Sequence, residues 1–320
     1  MPKEYKRLPT KDEWKRDLGL RILFIGNKKS PNPPFIRLGK LIDLYHGAES
    51  EAARDELMFH IYMQINYIHK NLEKPEKLGG TITTDQKEAA TSLYNFVGGA
   101  MADFFNTRNA VEFKKAILEH YGRSVDDHDK LVDQAAVASG GMQYYTIEGQ
   151  RRQFKLSFRN GKAHKKTSVN GGPPILSVYD TQQAGDNIEH GGSLYVMDVK
   201  GHIYVSGKDG EVSLKHSSFL GGEATLAAGT IRFENGQLIW ISGRSGHYRP
   251  TVAQIVTALE RFSSYGVKMD RVTVYRENFN EAFKVAKLKY FEGCAAKDML
   301  KERQWPGDSV NPKSMHISPE

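Results

Sequence analysis

One cysteine, Cys294, in a chain of 320 residues leaves no partner for an intramolecular disulfide and excludes a zinc site built from several thiolates. No apolar run reaches the ~18 residues needed to cross a bilayer. Met1 to Leu20 is rich in charge and includes Trp14, so it lacks the apolar core of a secretory leader. The chain reads as soluble and, if exported, as exported without a cleaved signal peptide. Also missing are the phosphate-binding Gly-x-x-x-x-Gly-Lys-Ser/Thr loop, His-Glu-x-x-His and Gly-x-Ser-x-Gly. The closest histidines, His120 and His128, are too far apart to act as paired ligands on one helical turn, which argues against a metalloenzyme. There is no internal repeat and no low-complexity segment.

What is present is an excess of positive charge. Lysine and arginine number 45 against 38 acidic residues, a net charge of +7 with a pI near 9.2. An anionic ligand, an acidic partner surface or nucleic acid would suit that balance. The basic residues are spread along the chain without a nucleic-acid motif, so a generally basic surface is the plainer reading. The length of 320 residues allows one large domain or two ordinary ones, and 39% hydrophobic residues suffice for a core.

Residues 1–35, basic and interrupted by Pro2, Pro9, Pro31, Pro33 and Pro34, read as a flexible arm with a short strand or docking segment at Arg21 to Gly26. Residues 36–140 read as a helical lobe. Ala53, Leu57, Met58, Ile61, Ile65 and Ile68 recur at helical spacing between Glu49 and Leu72. A second helix follows Thr83 or Thr84, with shorter ones at about 108–121 and 124–138.

Residues 141–300 change texture to strands. Gln153–Phe158, Pro174–Tyr179, Leu194–Val199 with His202–Val205, and Thr230–Phe233 with Leu238–Ile241 alternate or cluster as strands do, and Asn160-Gly161 and Asn235-Gly236 are hairpin turn signals. Lys162 to Lys166 reads as a solvated loop. A helix capped by Thr251 with Gln254 at the capping-box position follows Pro250, then a strand at Val272–Tyr275 and a helix at about 281–290. Residues 301–320 form a tail. Helices followed by strands argue for α+β: an N-terminal helical lobe, then an antiparallel-rich β lobe.

Two compact polar clusters stand out, His216 to Glu223 and Ser245 to Thr251. In the first, imidazole, two serines and a carboxylate converge as they would on a polar ligand; a β-turn whose serines satisfy backbone groups is the alternative. The second is either a ligand contact or a capped strand-to-helix connection. Phe219 and Tyr204 read as core residues rather than as ligand stackers. Arg151-Arg152 reads as solvated surface rather than a phosphate clamp.

These clusters, with Leu194 to Asp198, Ile203 to Val205 and the Ala227-Ala228-Gly229 step, resemble a module found in two settings. One is the plant IQ-motif calmodulin-binding protein family. The other is a group of bacterial effectors of the CteC type, mono-ADP-ribosyltransferases that modify a threonine of host ubiquitin. The similarity covers about residues 190–275. Two departures from the plant pattern favour the effectors: no IQ-type calmodulin-binding helix lies upstream in this sequence, and Glu223 follows the two glycines in place of a small residue. The Ser-Thr-Ser and Glu-x-Glu signature familiar in ADP-ribosyltransferases is absent from the sheet region.

The effector resemblance implies an ADP-ribosyltransferase-like β lobe, NAD as co-substrate, host ubiquitin as partner, a monomer, and a secreted protein acting in the host cytosol. It implies Glu223 as the catalytic carboxylate, with Ser217 and Ser218 orienting it or the ribose. His216, Phe219, Gly222, Arg244, His247 and Tyr248 would surround the NAD, and the helical lobe would hold the protein substrate. The plant resemblance implies instead a non-enzymatic calmodulin-type binding module. An NAD glycohydrolase would use the same site with water as acceptor.

Overall fold

The structure, a computed structural model, describes residues 8, 33–128, 144–145, 147–167, 173–182, 192–206, 214–246, 248–278 and 290–305. The chain divides into two compact units, Met1–Leu118 with Ser124–His128, and Glu119–Arg123 with Asp129–Glu320. It is α+β: a helical N-terminal region followed by mostly antiparallel sheets.

The first unit is built around α2 (Glu51–Lys70), with α1 (Pro33–His46), α3 (Thr84–Phe105) and the start of α4 (Ala110–Tyr121). Ser50 caps α2 by accepting from the Ala53 N–H at 3.2 Å, and Thr83 and Gln86 close a reciprocal capping box on α3. Leu57, Met58, Phe59, Ile61, Ile65 and Ile68 of α2 are fully buried. So are polar groups, which find partners: Glu56 pairs with His60 at 3.2 Å, and Gln64 donates to the Pro34 carbonyl at 3.2 Å. α1 was not expected. Its prolines stand in the first turn, where a missing N–H costs nothing, and Phe35, Leu38, Leu41, Ile42 and Tyr45 line its buried side. The helix expected at 124–138 is represented by a 3₁₀ turn at Val125–Asp127; residues 129–138 lie outside the described residues.

The second unit has two sheets. Strands β1 (Leu156–Arg159), β2 (Lys162–Thr167) and β3 (Ile175–Val178) form an antiparallel meander. Strands β4 (Ser193–Asp198), β5 (Ile203–Val205), β6 (Thr225–Glu234), β7 (Gln237–Ser242), β8 (Thr273–Asn278) and β9 (Tyr290–Ala295) form a sheet of order β5-β4-β6-β7-β8-β9. Both Asn-Gly turns are present with both residues at positive φ, 51° and 72° at Asn160-Gly161 and 48° and 78° at Asn235-Gly236, the twist a two-residue hairpin needs. The short helices α5 (Glu148–Arg151) and α6 (His216–Leu220) flank the strands. α7 (Val252–Ser264), capped by Thr251, makes the crossover that lets β7 and β8 pair in parallel. α8 (Ala296–Glu302) closes the described chain.

Lys162 to Lys166 is a strand, not a solvated loop. Lys165 lies over the rings of Phe154 and Tyr179 at 5.9 and 5.8 Å, so its alkyl stem covers apolar surface while the ammonium stays polar. Tyr290 opens a strand at the edge of the expected 281–290 helix, the rest of which, like most of the 1–35 arm and residues 306–320, falls outside the described residues. The two sheets meet at an aromatic cluster in which Phe158 packs edge-on to Phe262 at 5.8 Å and Tyr179 edge-on to Phe233 at 5.6 Å.

Gly229 on β6 faces the carbonyl of Ser242, and a Cβ there would lie 1.9 Å from that oxygen. Gly229→Ala is expected to cost at least about 2 kcal/mol in urea denaturation, because backbone must move. Gly246, where an added methyl would meet no heavy atom within 4 Å, should accept alanine with little change.

Candidate functional site

α6 ends in two consecutive left-handed glycines, Gly221 at φ 62° and Gly222 at φ 77°. The reversal lets the Gly222 N–H donate to the Ser217 carbonyl at 2.9 Å and sets Glu223 just beyond the helix end. Ser218 Oγ accepts from the Lys215 N–H at 3.0 Å, and its carbonyl accepts from Tyr145 N–H at 2.8 Å. Ser217, Ser218 and Phe219 are fully buried. Phe219 meets Phe154 edge-on at 5.3 Å. His216 Nε2 lies 2.9 Å from the Gly229 carbonyl, which requires a proton on that nitrogen.

Tyr248 joins the second cluster to the first. Tyr248, only 1% exposed, donates its hydroxyl to the Glu223 backbone carbonyl at 2.9 Å. Its own N–H is held by Ser245 Oγ at 3.2 Å. Arg244 is half-buried, with its N–H on Ser242 Oγ at 3.4 Å. His247 lies outside the described residues.

The side chains expected to touch a ligand therefore divide. Ser217, Ser218, Phe219 and Tyr248 have internal roles: they close the helix end, fill the core and hold the Glu223 backbone. None presents its side chain to solvent, and Gly222 is buried as well. Glu223 does reach the surface, and its partner is a residue read from sequence as solvated. Arg151 on α5 donates from Nη1 to Glu223 Oε2 at 2.9 Å, from Nη2 to the Leu220 carbonyl at 3.0 Å and from Nε to the Tyr145 carbonyl. Its side chain is 11% exposed against 29% for Glu223. This planar fork with three acceptors is what guanidinium offers and lysine does not. Nothing local in the sequence marks the pair, whose members are 72 positions apart.

A second polar group was also missed. Asp198 Oδ1 accepts from the N–H groups of Lys200 and His202 at 2.9 and 2.8 Å, closing the β4–β5 turn. Its Oδ2 lies 3.0 Å from His202 Nδ1 and accepts from the Tyr204 hydroxyl at 3.1 Å. Burial, and then the Asp198 charge, push the Tyr204 phenol well above the ordinary tyrosine value, while Arg151 pulls the other way. The Asp-x-x-x-His-x-Tyr spacing across a Lys-Gly turn was the available signal. Tyr195, opposite Gly229 in the β4–β6 register, is fully buried with no partner for its hydroxyl among the described residues, and burial raises its pKa also. The described residues contain no group of three or more His, Cys, Asp or Glu able to hold a metal ion.

Every residue of this arrangement from Arg151 to Thr251 falls in one segment with known relatives. Residues 150–255 match the family model of the IQ motif-containing protein middle domain, which relates this α+β segment to the plant IQ-domain proteins. Among these, the Arabidopsis thaliana IQ domain-containing protein IQM3 is 40% identical over 83 residues, 26% of this chain and 18% of that protein. IQ domain-containing protein IQM2 of the same plant is 45% identical over 102 residues, 32% of this chain and 15% of that protein. The chain thus spans less than a fifth of the length of either relative. No solved structure matches it.

Three tyrosine-to-phenylalanine variants separate the hydroxyl roles by denaturant unfolding. Tyr204→Phe and Tyr248→Phe should each lose about 1 kcal/mol, the net worth of a hydrogen bond, whereas Tyr195→Phe should be neutral or stabilising because its hydroxyl is buried unpaired. The pH dependence has a definite sign. A phenol whose pKa is raised on folding contributes stability that is complete below its unfolded value, 10.0, and lost as pH climbs toward the folded one. The wild type should therefore lose more stability than Tyr204→Phe between pH 9 and pH 11, about the range bracketing that value.

Proposed function

We propose that this chain is an NAD-dependent mono-ADP-ribosyltransferase that modifies a threonine of host ubiquitin, as a secreted effector in the host cytosol. The observation that carries the reading is Glu223. Its backbone is fixed by Tyr248, one carboxylate oxygen is fixed by Arg151, and the side chain still reaches solvent. Oε1 has no hydrogen-bond partner among the described residues. A carboxylate held in this way suits acceptance from a ribose hydroxyl, and its charge favours the positive charge that builds on the ribose as its bond to nicotinamide stretches. The fit to NAD is uneven. The carboxylate suits the ribose, but the buried rings of Phe219 and Tyr248 do not suit a stacking role, so no aromatic is assigned to the nicotinamide.

In the overall exchange the ribose C1′–nitrogen bond breaks and its electron pair leaves with nicotinamide. The threonine oxygen bonds to C1′, and the hydroxyl proton passes to solvent. Glu223 stabilises, Arg151 and Tyr248 position it, and the helical unit is assigned the protein substrate. The second unit is taken to be of ADP-ribosyltransferase-like type; the support is its pair of antiparallel-rich sheets meeting at the Phe158–Phe233–Phe262 cluster. A monomer is proposed with it.

A second reading, a non-enzymatic binding module, is favoured by the match to plant IQ-domain proteins and by the internal roles of the two serines. The measurement that separates them is the intact mass of ubiquitin after incubation with NAD and this protein. One ADP-ribose added, and at least about 100-fold less with Glu223→Gln, is the expected result. Full activity in a folded Glu223→Gln protein would remove the carboxylate assignment. Unchanged ubiquitin with another protein labelled would keep the reaction and replace the partner; free ADP-ribose alone would mean a glycohydrolase. No NAD turnover, with calmodulin retained in a pull-down, would establish the binding module.

A further inference from the structure

The three-stranded sheet has two dissimilar faces. Leu156, Phe158, Ala163 and Tyr179 turn toward the aromatic core, and strand alternation puts Arg159, Lys162, His164 and Lys166 on the other side. Arg159 and Lys162 stand directly opposite each other in the β1–β2 register, an arrangement that like charges disfavour. Arg159, Lys162 and Lys166 are exposed, and none has an ion-pair partner among the described residues. The face therefore carries uncompensated positive charge.

Its border is β3. Among the described residues β3 is paired in the sheet with β2 alone, and its four residues, Ile-Leu-Ser-Val, carry no charge. Ile175 is 60% exposed and Val178 46%. Edge strands are ordinarily protected by a lysine, a bulge or a proline within the strand. Here Pro173 and Pro174 stand before the strand, and the cations sit one and two strands further in.

We propose that this sheet is a docking surface for an extended acidic segment of a protein partner, which adds along β3 as a fourth strand. Backbone hydrogen bonds along the outer side of β3 would supply affinity, and apolar side chains on the core-side face of the segment would cover Ile175, while Val178 stands on the cationic side opposite His164. Alternate acidic side chains would project over the cationic face. A fourth strand lies about 10 Å from β2, within the combined reach of a glutamate and a lysine side chain. Nucleic acid is the weaker fit, because the aromatic rings of this sheet, Phe158 and Tyr179, turn inward and leave nothing for bases to stack on. The surface is independent of Glu223 and does not rest on the transferase reading.

The test uses the full chain and a fluorescent peptide of alternating glutamate and valine, followed by anisotropy at low and moderate salt. Three comparisons accompany it: the same peptide N-methylated at alternate amides along one edge, a short DNA duplex, and phosphatidylserine vesicles. The parent peptide should bind in a salt-sensitive manner. The N-methylated form, identical in charge, should bind at least about tenfold more weakly, as should the parent peptide to a Lys162→Glu, Lys166→Glu protein. Circular dichroism of that variant checks its fold, and the N-methylated peptide keeps the test decisive if the variant does not fold. No binding of the parent peptide, equal binding of the two peptides, or tighter binding of the duplex or the vesicles would overturn the proposal.

Discussion

The absence of a side chain at Gly229 is the constraint on which the sheet lobe depends. The end of β7 comes so close to β6 there that a Cβ would lie 1.9 Å from the Ser242 carbonyl oxygen. The same residue's carbonyl receives His216, so one glycine anchors the start of α6 on one side and the β7 exit on the other. The chain leaving β7 then carries Tyr248 to the Glu223 carbonyl. Two segments that look like separate motifs in the sequence are one structure, joined by the Tyr248 bond and set in place by a strand approach that no larger residue at position 229 would permit.

This arrangement explains why polar richness is a poor guide to chemistry here. Serine beside a helix end and serine beside a ribose are the same residue type with the same donors and acceptors. Ser218 and Ser245 spend theirs on backbone groups that would otherwise be buried unpaired. What survives as candidate chemistry is the group with an oxygen unbonded among the described residues and an exposed flank. Glu223 meets that condition, and its charge is compensated by Arg151 within a shared, partly desolvated setting. Such a pair resists removal of either member more than an exposed pair does, because the survivor would keep its desolvation cost without its partner.

The legible parts of the fold were those written locally. Asn160-Gly161 and Asn235-Gly236 announce their hairpins because positive φ is demanded at both turn residues, and Thr83 and Thr251 announce their helices through capping boxes. What escaped was decided at long range. β2 reads as a polar loop until its neighbours are known: Lys165 lies across two rings, while Lys162 and Lys166 face out. α1 was obscured by prolines that read as an interruption and instead form its first turn. In the site, Glu223 was recognisable by its place after two glycines. Arg151 was not, since only the fold brings it across to that carboxylate.

The parallel seam between β7 and β8 gives the large sheet an internal grain. Its register runs through Trp240–Thr273, Ile241–Val274 and Ser242–Tyr275 alone, whereas β8 and β9 are paired along the full length of both strands. The segment shared with the plant proteins ends at residue 255, before β8 begins. β8, β9 and α8 thus lie beyond the shared segment and join it through a short parallel border and the crossover helix. Partial opening at that border would leave β5, β4, β6 and β7, with Glu223 and its clamp, as an intact four-stranded remnant.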